Sequence, residues 1–106
     1  MPIEAFLGMS EADWQGTVVQ YARALGWEVY HTHDSRRSEA GYPDLTLVRP
    51  PRVVFAELKV EERKGRGRLT SAQGRWLEKL GACPGVEAYL WRPSQHNDVW
   101  DILERK

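Results

Sequence analysis

The run from Gly41 to Glu61, G-Y-P-D-L-T-L-V-R-P-P-R-V-V-F-A-E-L-K-V-E, limits what the chain can fold into more than any other part of it. Leu45 to Val48 and Arg52 to Val60 are rich in β-branched and apolar residues and are broken only by Pro50-Pro51, a pattern that spells strand, turn, strand. A hairpin centred on the prolines sets Val48 opposite Val53, Thr46 opposite Phe55, and Asp44 opposite Glu57. Directly opposed residues of an antiparallel pair have Cβ atoms about 4.5 to 5.5 Å apart. Two carboxylates at that separation repel each other unless a cation lies between them, and hard oxygen ligands of this kind suit Mg²⁺ or Mn²⁺. Lys59 returns to the face of Glu57 by the strand period of two, whereas Val54, Ala56, Leu58 and Val60 form an apolar face that must be buried. Burial of that face anchors the register, since a slip by one residue would put Asp44 and Glu57 on opposite sides. Pro-Pro cannot take up the positive φ of the usual two-residue hairpin turn, so a wider, symmetric loop with the same pairing is expected.

At 106 residues the chain is expected to be one domain, residues 1–106, with a single core. Its fifteen Lys and Arg balance fifteen Asp and Glu, so any binding of nucleic acid must come from a local patch rather than a global field. Cys83 is the one cysteine, which excludes an internal disulfide and a multi-cysteine zinc site and fits a reducing compartment. Met1 to Met9 has neither the basic start nor the apolar run of a signal peptide, and no later stretch is apolar enough to span a membrane. A cytoplasmic location is expected.

Ser10 and Asp13 make a capping signal for a first helix, with Trp14, Val18, Tyr21, Ala22 and Leu25 at helical spacing until Gly26. Glu11 lies on its opening turn, where it could reach inward or simply favour the positive helix end. Trp27 to Thr32 is a strand, and His31 and His33 at its end read as structural or solvated rather than as a metal pair, because no third ligand of matching softness is in evidence. The polar segment Asp34 to Ala40 is a loop in which Arg36 and Arg37 are candidate phosphate contacts, with an exposed loop as the competing reading. From Lys59 to Arg75 there are six basic residues against two acidic ones, and Arg63, Lys64, Arg66 and Arg68 sit in a charged stretch, Glu61 to Arg68, expected to be a mobile loop. Its place just after Lys59 favours a nucleic-acid clamp whose strength falls as salt rises.

Thr70 and Gln73 form a second capping box, and Gln73, Trp76, Leu77 and Leu80 share one face of a helix ending at Gly81. Cys83-Pro84-Gly85 turns the chain into a strand, Val86 to Arg92, and Val99, Ile102 and Leu103 mark a short last helix. Trp14, Trp76 and Trp91 fall at core positions and read as packing. The order is αβββαβα, an α/β layer with a mixed sheet flanked by helices.

Pro43-Asp44 followed by Glu57-Leu58-Lys59 resembles the signature of the PD-(D/E)XK nuclease superfamily. More narrowly, the chain resembles a VRR-NUC domain in G-Y-P-D at Gly41 to Asp44, V-F-A-E-L-K at Val54 to Lys59, L-T-S-A-Q-G-R-W-L at Leu69 to Leu77 and the acidic start of the first helix, over Ser10 to Leu103. A lone E-x-K carries little information; the combination is specific. The resemblance implies a restriction-endonuclease-like core in which Asp44 and Glu57 are metal ligands, Lys59 is the catalytic lysine and Gln73 is a glutamine near the site. It also implies a helix-borne acidic residue that joins the metal site, Glu11, with Asp13 as the competing match. The implied function is a Mg²⁺- or Mn²⁺-dependent, structure-selective DNA endonuclease acting on branched or Holliday-junction-like DNA in replication, repair or recombination. Paired cuts across a junction by a domain with one site would need a homodimer. The competing readings are a non-catalytic nucleic-acid-binding module and an interaction domain for a repair partner.

Overall fold

The computed structural model describes residues 3–33 and 39–106. Its elements are α1 (Ile3–Leu7), α2 (Glu11–Ala24), β1 (Glu28–His31), β2 (Leu45–Arg49), β3 (Arg52–Leu58), α3 (Ser71–Gly81), β4 (Val86–Trp91), a 3₁₀ turn (Pro93–Gln95) and α4 (His96–Glu104). The four strands form one mixed sheet in the order β1-β2-β3-β4, antiparallel except for the parallel pair β3 and β4. This is the expected α/β order with one more helix in front. The extra helix carries no capping signal, and at five residues it is too short to persist alone. Phe6 holds it in place: its ring is buried, stacked on His96 at 3.8 Å and edge-on to Trp14.

The hairpin has the expected register, with Val48 against Val53, Thr46 against Phe55 and Leu45 against Ala56. The wider loop is not found. Arg49 pairs with Arg52, leaving only Pro50-Pro51 between the strands, joined by a cis peptide bond as in type VI turns. Alternation then does what the sequence pattern requires. Leu45, Leu47, Val54, Ala56 and Leu58 are fully buried in one core with Trp14, Val18 and Ala22 of α2 and Val99, Ile102 and Leu103 of α4. Val60, beyond the strand, is only half-buried. Indole N–H groups tie this layer together, from Trp14 to the Trp91 carbonyl and from Trp27 to the Leu103 carbonyl. On the other face α3 packs against β3 and β4 and has no fully buried residue. Trp14, Trp27 and Trp91 are core residues, while Trp76 is half-buried.

At the turn end of β3, Arg52 is held on every side. Its Nε and Nη2 each donate to a Glu87 carboxylate oxygen at 2.7 Å, and Nη1 donates to the carbonyls of Ile102 and Arg105. The guanidinium also lies 5.0 Å from the Trp27 ring centroid. Its bonds hold the Glu87 carboxyl below the ordinary carboxylate range. The segment after β3 is more ordered than a mobile loop. Arg63 and Arg66 exchange two backbone hydrogen bonds, Arg92 Nη1 donates to the Val60 carbonyl, and Ser94 donates from its backbone N–H and its hydroxyl to Glu61. Gly67 passes so near this anchor that a Cβ would lie 2.6 Å from the Val60 oxygen. Among the described residues no helix is long and apolar enough to cross a membrane.

Candidate active site

Asp44 stands one residue before β2, where the backbone ladder stops. Its side chain continues the ladder: Oδ2 accepts from the Leu58 N–H at 2.8 Å, a position that a neighbouring carbonyl would otherwise fill. Thr32 fixes the backbone behind it, donating from its N–H to the Asp44 carbonyl and from its hydroxyl to the Pro43 carbonyl, both at 2.9 Å. The preceding turn is pressed onto α3. Gly41 has φ 84°, and a Cβ there would sit 2.4 Å from the Ala72 carbonyl carbon, so no other residue fits. Trp76 donates to the Ala40 carbonyl, and the Tyr42 ring packs edge-on between Trp76 and Phe55.

Glu57 is 2% exposed and is the one buried charged residue of the described core. Its Oε2 accepts from Gln73 Nε2 at 2.8 Å and has Lys59 Nζ at 3.9 Å, whereas Oε1 is buried with no partner. The only other such atom among the described residues is Trp91 Nε1. Burial, and then the charge of Asp44, push the Glu57 carboxyl up to about 8, with Lys59 opposing them. A buried polar oxygen without a partner costs roughly 1 to 3 kcal/mol, so this atom does not add to stability.

Gln73 has two duties. Its Oε1 accepts from the Thr70 N–H while its own N–H donates to Thr70 Oγ1, which completes the expected capping box of α3. With the carbonyl end taken by the helix, only the NH₂ end is free to meet Glu57, and that is the end a carboxylate requires. The structure therefore brings Asp44, Glu57, Lys59 and Gln73 together. Glu11 lies on the first turn of α2, exposed, and its charge is one of those that raise Glu57. Asp13 faces away, lining an open cleft along α1 and α2 with Arg23. Glu11 is thus the acidic residue on the site's side.

Glu11 also lines a cleft of about 600 Å³ with Glu61, Arg63 and Arg66. Lys64 and Arg68 are exposed near it, and Arg68 makes only a loose surface pair with Glu62 at 3.8 Å. Arg36 and Arg37 lie outside the described residues. Another cavity, of about 250 Å³, adjoins Asp44 and is lined by Asp44, Gln73, Tyr42, His31 and His33, among others. Sequence reasoning gave the two histidines no part in the site. The only signal for it was their place at the end of the strand that pairs with β2.

The donor set fits a hard divalent cation. Two carboxylates converge, and one of them has an oxygen waiting for a positive partner. Among the described residues no three or more His, Cys, Asp or Glu side chains are gathered as a metal site, so these residues offer no closed cage. That suits Mg²⁺, which keeps several waters and takes one or two carboxylates plus substrate phosphate.

No known family's sequence profile matches the chain, and no curated protein is detectably similar to it. Solved structures are. One described as a VRR_NUC domain protein superposes with a TM-score of 0.65 at 20% identity, covering 92% of this chain and 87% of its own. Another, described as a VRR_NUC domain, gives a TM-score of 0.58 at 24% identity, covering 81% of this chain and 92% of its own. The four-stranded mixed sheet flanked by helices is therefore a restriction-endonuclease-like fold. Within that class it is the VRR_NUC domain fold, the one that the residue resemblance implied.

Proposed function

We propose that the chain is a metal-dependent DNA endonuclease of the VRR-NUC type, with Asp44 and Glu57 as the residues that hold Mg²⁺ or Mn²⁺. The observation that carries this reading is the buried, unpartnered Oε1 of Glu57, set beside a second carboxylate and a lysine. When bound, the ion supplies positive charge to a phosphate oxygen and makes a nearby water more acidic. Asp44, locked by the Leu58 N–H, and Glu57, locked by Gln73, keep their carboxylates convergent without spending motion on each turnover. Lys59 Nζ, close to Glu57 Oε2, orients the attacking water or stabilises charge that builds on the phosphate. Glu11 stands at the edge of the site, and Arg63, Lys64, Arg66 and Arg68 hold the phosphates of the strand.

No element of the described residues lies in an obvious position to read base edges, so recognition is of DNA shape. Branched DNA, including four-way junctions, is the proposed substrate, and paired cuts across it call for a homodimer. The test is cleavage of single-stranded, duplex, flap and four-way-junction DNA with Mg²⁺, Mn²⁺ or EDTA, beside light scattering of the protein alone. The expected result is metal-dependent cutting of the branched substrates by a dimer. Absence of cutting on every substrate with either ion would remove the nuclease reading, and full junction activity from a monomer would remove the dimer.

A further inference from the structure

The sheet face that carries Glu57 is covered unevenly. Across it, Tyr30 of β1 pairs with Thr46, which pairs with Phe55. Helix α3 lies over the β3 and β4 end, where Phe55 is half-buried. At the β1 end Tyr30 is 61% exposed, the largest exposure of the three large hydrophobic residues that stand out from the surface. Tyr30 is not isolated. Its ring meets His33 edge-on at 6.5 Å, and His33 meets His31 at 5.1 Å. His31 and His33 in turn line the cavity of about 250 Å³ that includes Asp44 and Gln73. Tyr30 and His33 thus lead from the open edge of the sheet to this cavity, while His31, which pairs with Leu45, enters it from the opposite face and is hydrogen-bonded to Gln15 of α2 at 3.0 Å.

The spacing and tilt of these rings choose between ligands. Bases stacked in a duplex rise by about 3.4 Å per step, less than either ring separation here. The ring planes are turned by 85° and 52°, so a stacked duplex cannot lie against all of them. Unpaired bases, splayed out of a helix, can each find a ring. Charge agrees. Glu28, on the face of Tyr30, and Glu39, lining the cavity, would repel phosphates and leave the rings to take the faces of bases. Among the described residues, two of the arginines proposed to hold phosphates, Arg63 and Arg66, line the other cleft with Glu11. The centre therefore has one flank suited to backbone and one suited to bases.

We infer that the Tyr30 and His33 face binds an unpaired stretch of nucleic acid, with the cavity beside Asp44 receiving the nucleotide next to the cut. Its position relative to the cut rests on the nuclease reading; the binding itself does not. Among the proposed branched substrates, those with a single-stranded arm beside the scissile phosphate, such as a flap, should therefore be preferred to a fully paired four-way junction.

Binding is measured by fluorescence anisotropy in EDTA, which prevents metal-dependent cutting, with a labelled single strand of about 12 nucleotides and a blunt hairpin duplex as probes. Tyr30→Ala should weaken single-strand binding by about 5- to 100-fold, the worth of one base stacked on an aromatic ring. Duplex binding should change by less than about twofold, within the small effect of an exposed surface substitution. Tyr30→Phe, which keeps the ring, should match the wild type, and His33→Ala should give a smaller loss of the same kind. Exposure of Tyr30 means that the variants should keep the wild-type Tm. Equal single-strand affinity for wild type and Tyr30→Ala would overturn the inference, as would equal losses on both probes or no single-strand binding by the wild type. A wild type that binds through Tyr30 but never cuts leaves this inference standing and removes the nuclease reading. One that cuts and is indifferent to Tyr30→Ala does the reverse.

Discussion

The two ends of β3 treat charge in opposite ways. At its start, Arg52 is bound by both Glu87 oxygens and two carbonyls, and the pairing lowers the Glu87 pKa. Five residues on, Glu57 is more deeply buried, has one oxygen with no partner, and is raised to about 8 by burial and by Asp44. The same strand in the same sheet thus carries one satisfied ion pair and one unsatisfied acid. The difference separates charge used for architecture from charge held ready for a ligand, since a merely structural carboxylate would have been given a partner as Glu87 was.

The largest effects should come from the unsatisfied end. Asp44→Asn and Glu57→Gln keep side-chain shape but remove ligand charge, so each should abolish Mn²⁺ binding in titration calorimetry together with cleavage. Lys59→Met should keep Mn²⁺ binding while cleavage falls about 10²- to 10⁴-fold, the usual worth of one catalytic group. Full activity in Asp44→Asn would erase the contrast altogether, and loss of Mn²⁺ by Lys59→Met would mean that the lysine belongs to the ion's site rather than to the chemistry.

At the satisfied end the losses should be of stability alone. Arg52→Ala leaves Glu87 without its cation and two carbonyls without a donor. The expected cost is about 2 to 3 kcal/mol, less than for a fully buried pair because Glu87 is partly exposed. Activity per folded molecule should not change. Urea unfolding beside the cleavage assay checks both, and a selective loss of activity at full stability would break the comparison.

The gentlest test is pH, where the two carboxylates should act with opposite sign. Glu57 titrates near 8 when folded against an ordinary 4.5, so between these values the metal-free native state holds a proton that the unfolded chain has lost. Its contribution to stability is complete below about 4.5 and disappears as pH rises toward 8, at no more than about 1.4 kcal/mol per pH unit. Glu87 is depressed, so its contribution is present above the ordinary carboxylate range and fades as pH falls through the folded value. Thermal melts in EDTA should therefore show a decline between about pH 4.5 and 8 that Glu57→Gln removes and that Mn²⁺ flattens in the wild type. A decline that survives in Glu57→Gln belongs to some other group.

The satisfied and the unsatisfied end were not equally legible in the sequence. Asp44, Glu57 and Lys59 could be placed because period-two alternation and an apolar opposite face fix a register, and Thr70 with Gln73 announced its own helix cap. Arg52 and Glu87 are 35 residues apart and meet only because β3 and β4 run parallel, which no local pattern announces. The same holds for Phe6 under α1 and for the bond from the Leu58 N–H to Asp44. Local rules reach a few residues along the chain. Groups that meet through tertiary packing lie beyond them.

The interleaving of β3 also governs which genetic changes the protein can survive. Glu57 and Lys59 alternate with Ala56 and Leu58, so the residues proposed for chemistry and those that fill the core occupy successive places at the end of β3 and just beyond it. A substitution on the site side costs chemistry while sparing the fold, and one on the core side costs stability while sparing the site's residues. Loss of a single codon within Arg52–Leu58 shifts every later side chain to the other face, sending Lys59 into the apolar layer and Leu58 out to the carboxylates. For this strand length is therefore the inherited constraint, more than the identity of most of its residues.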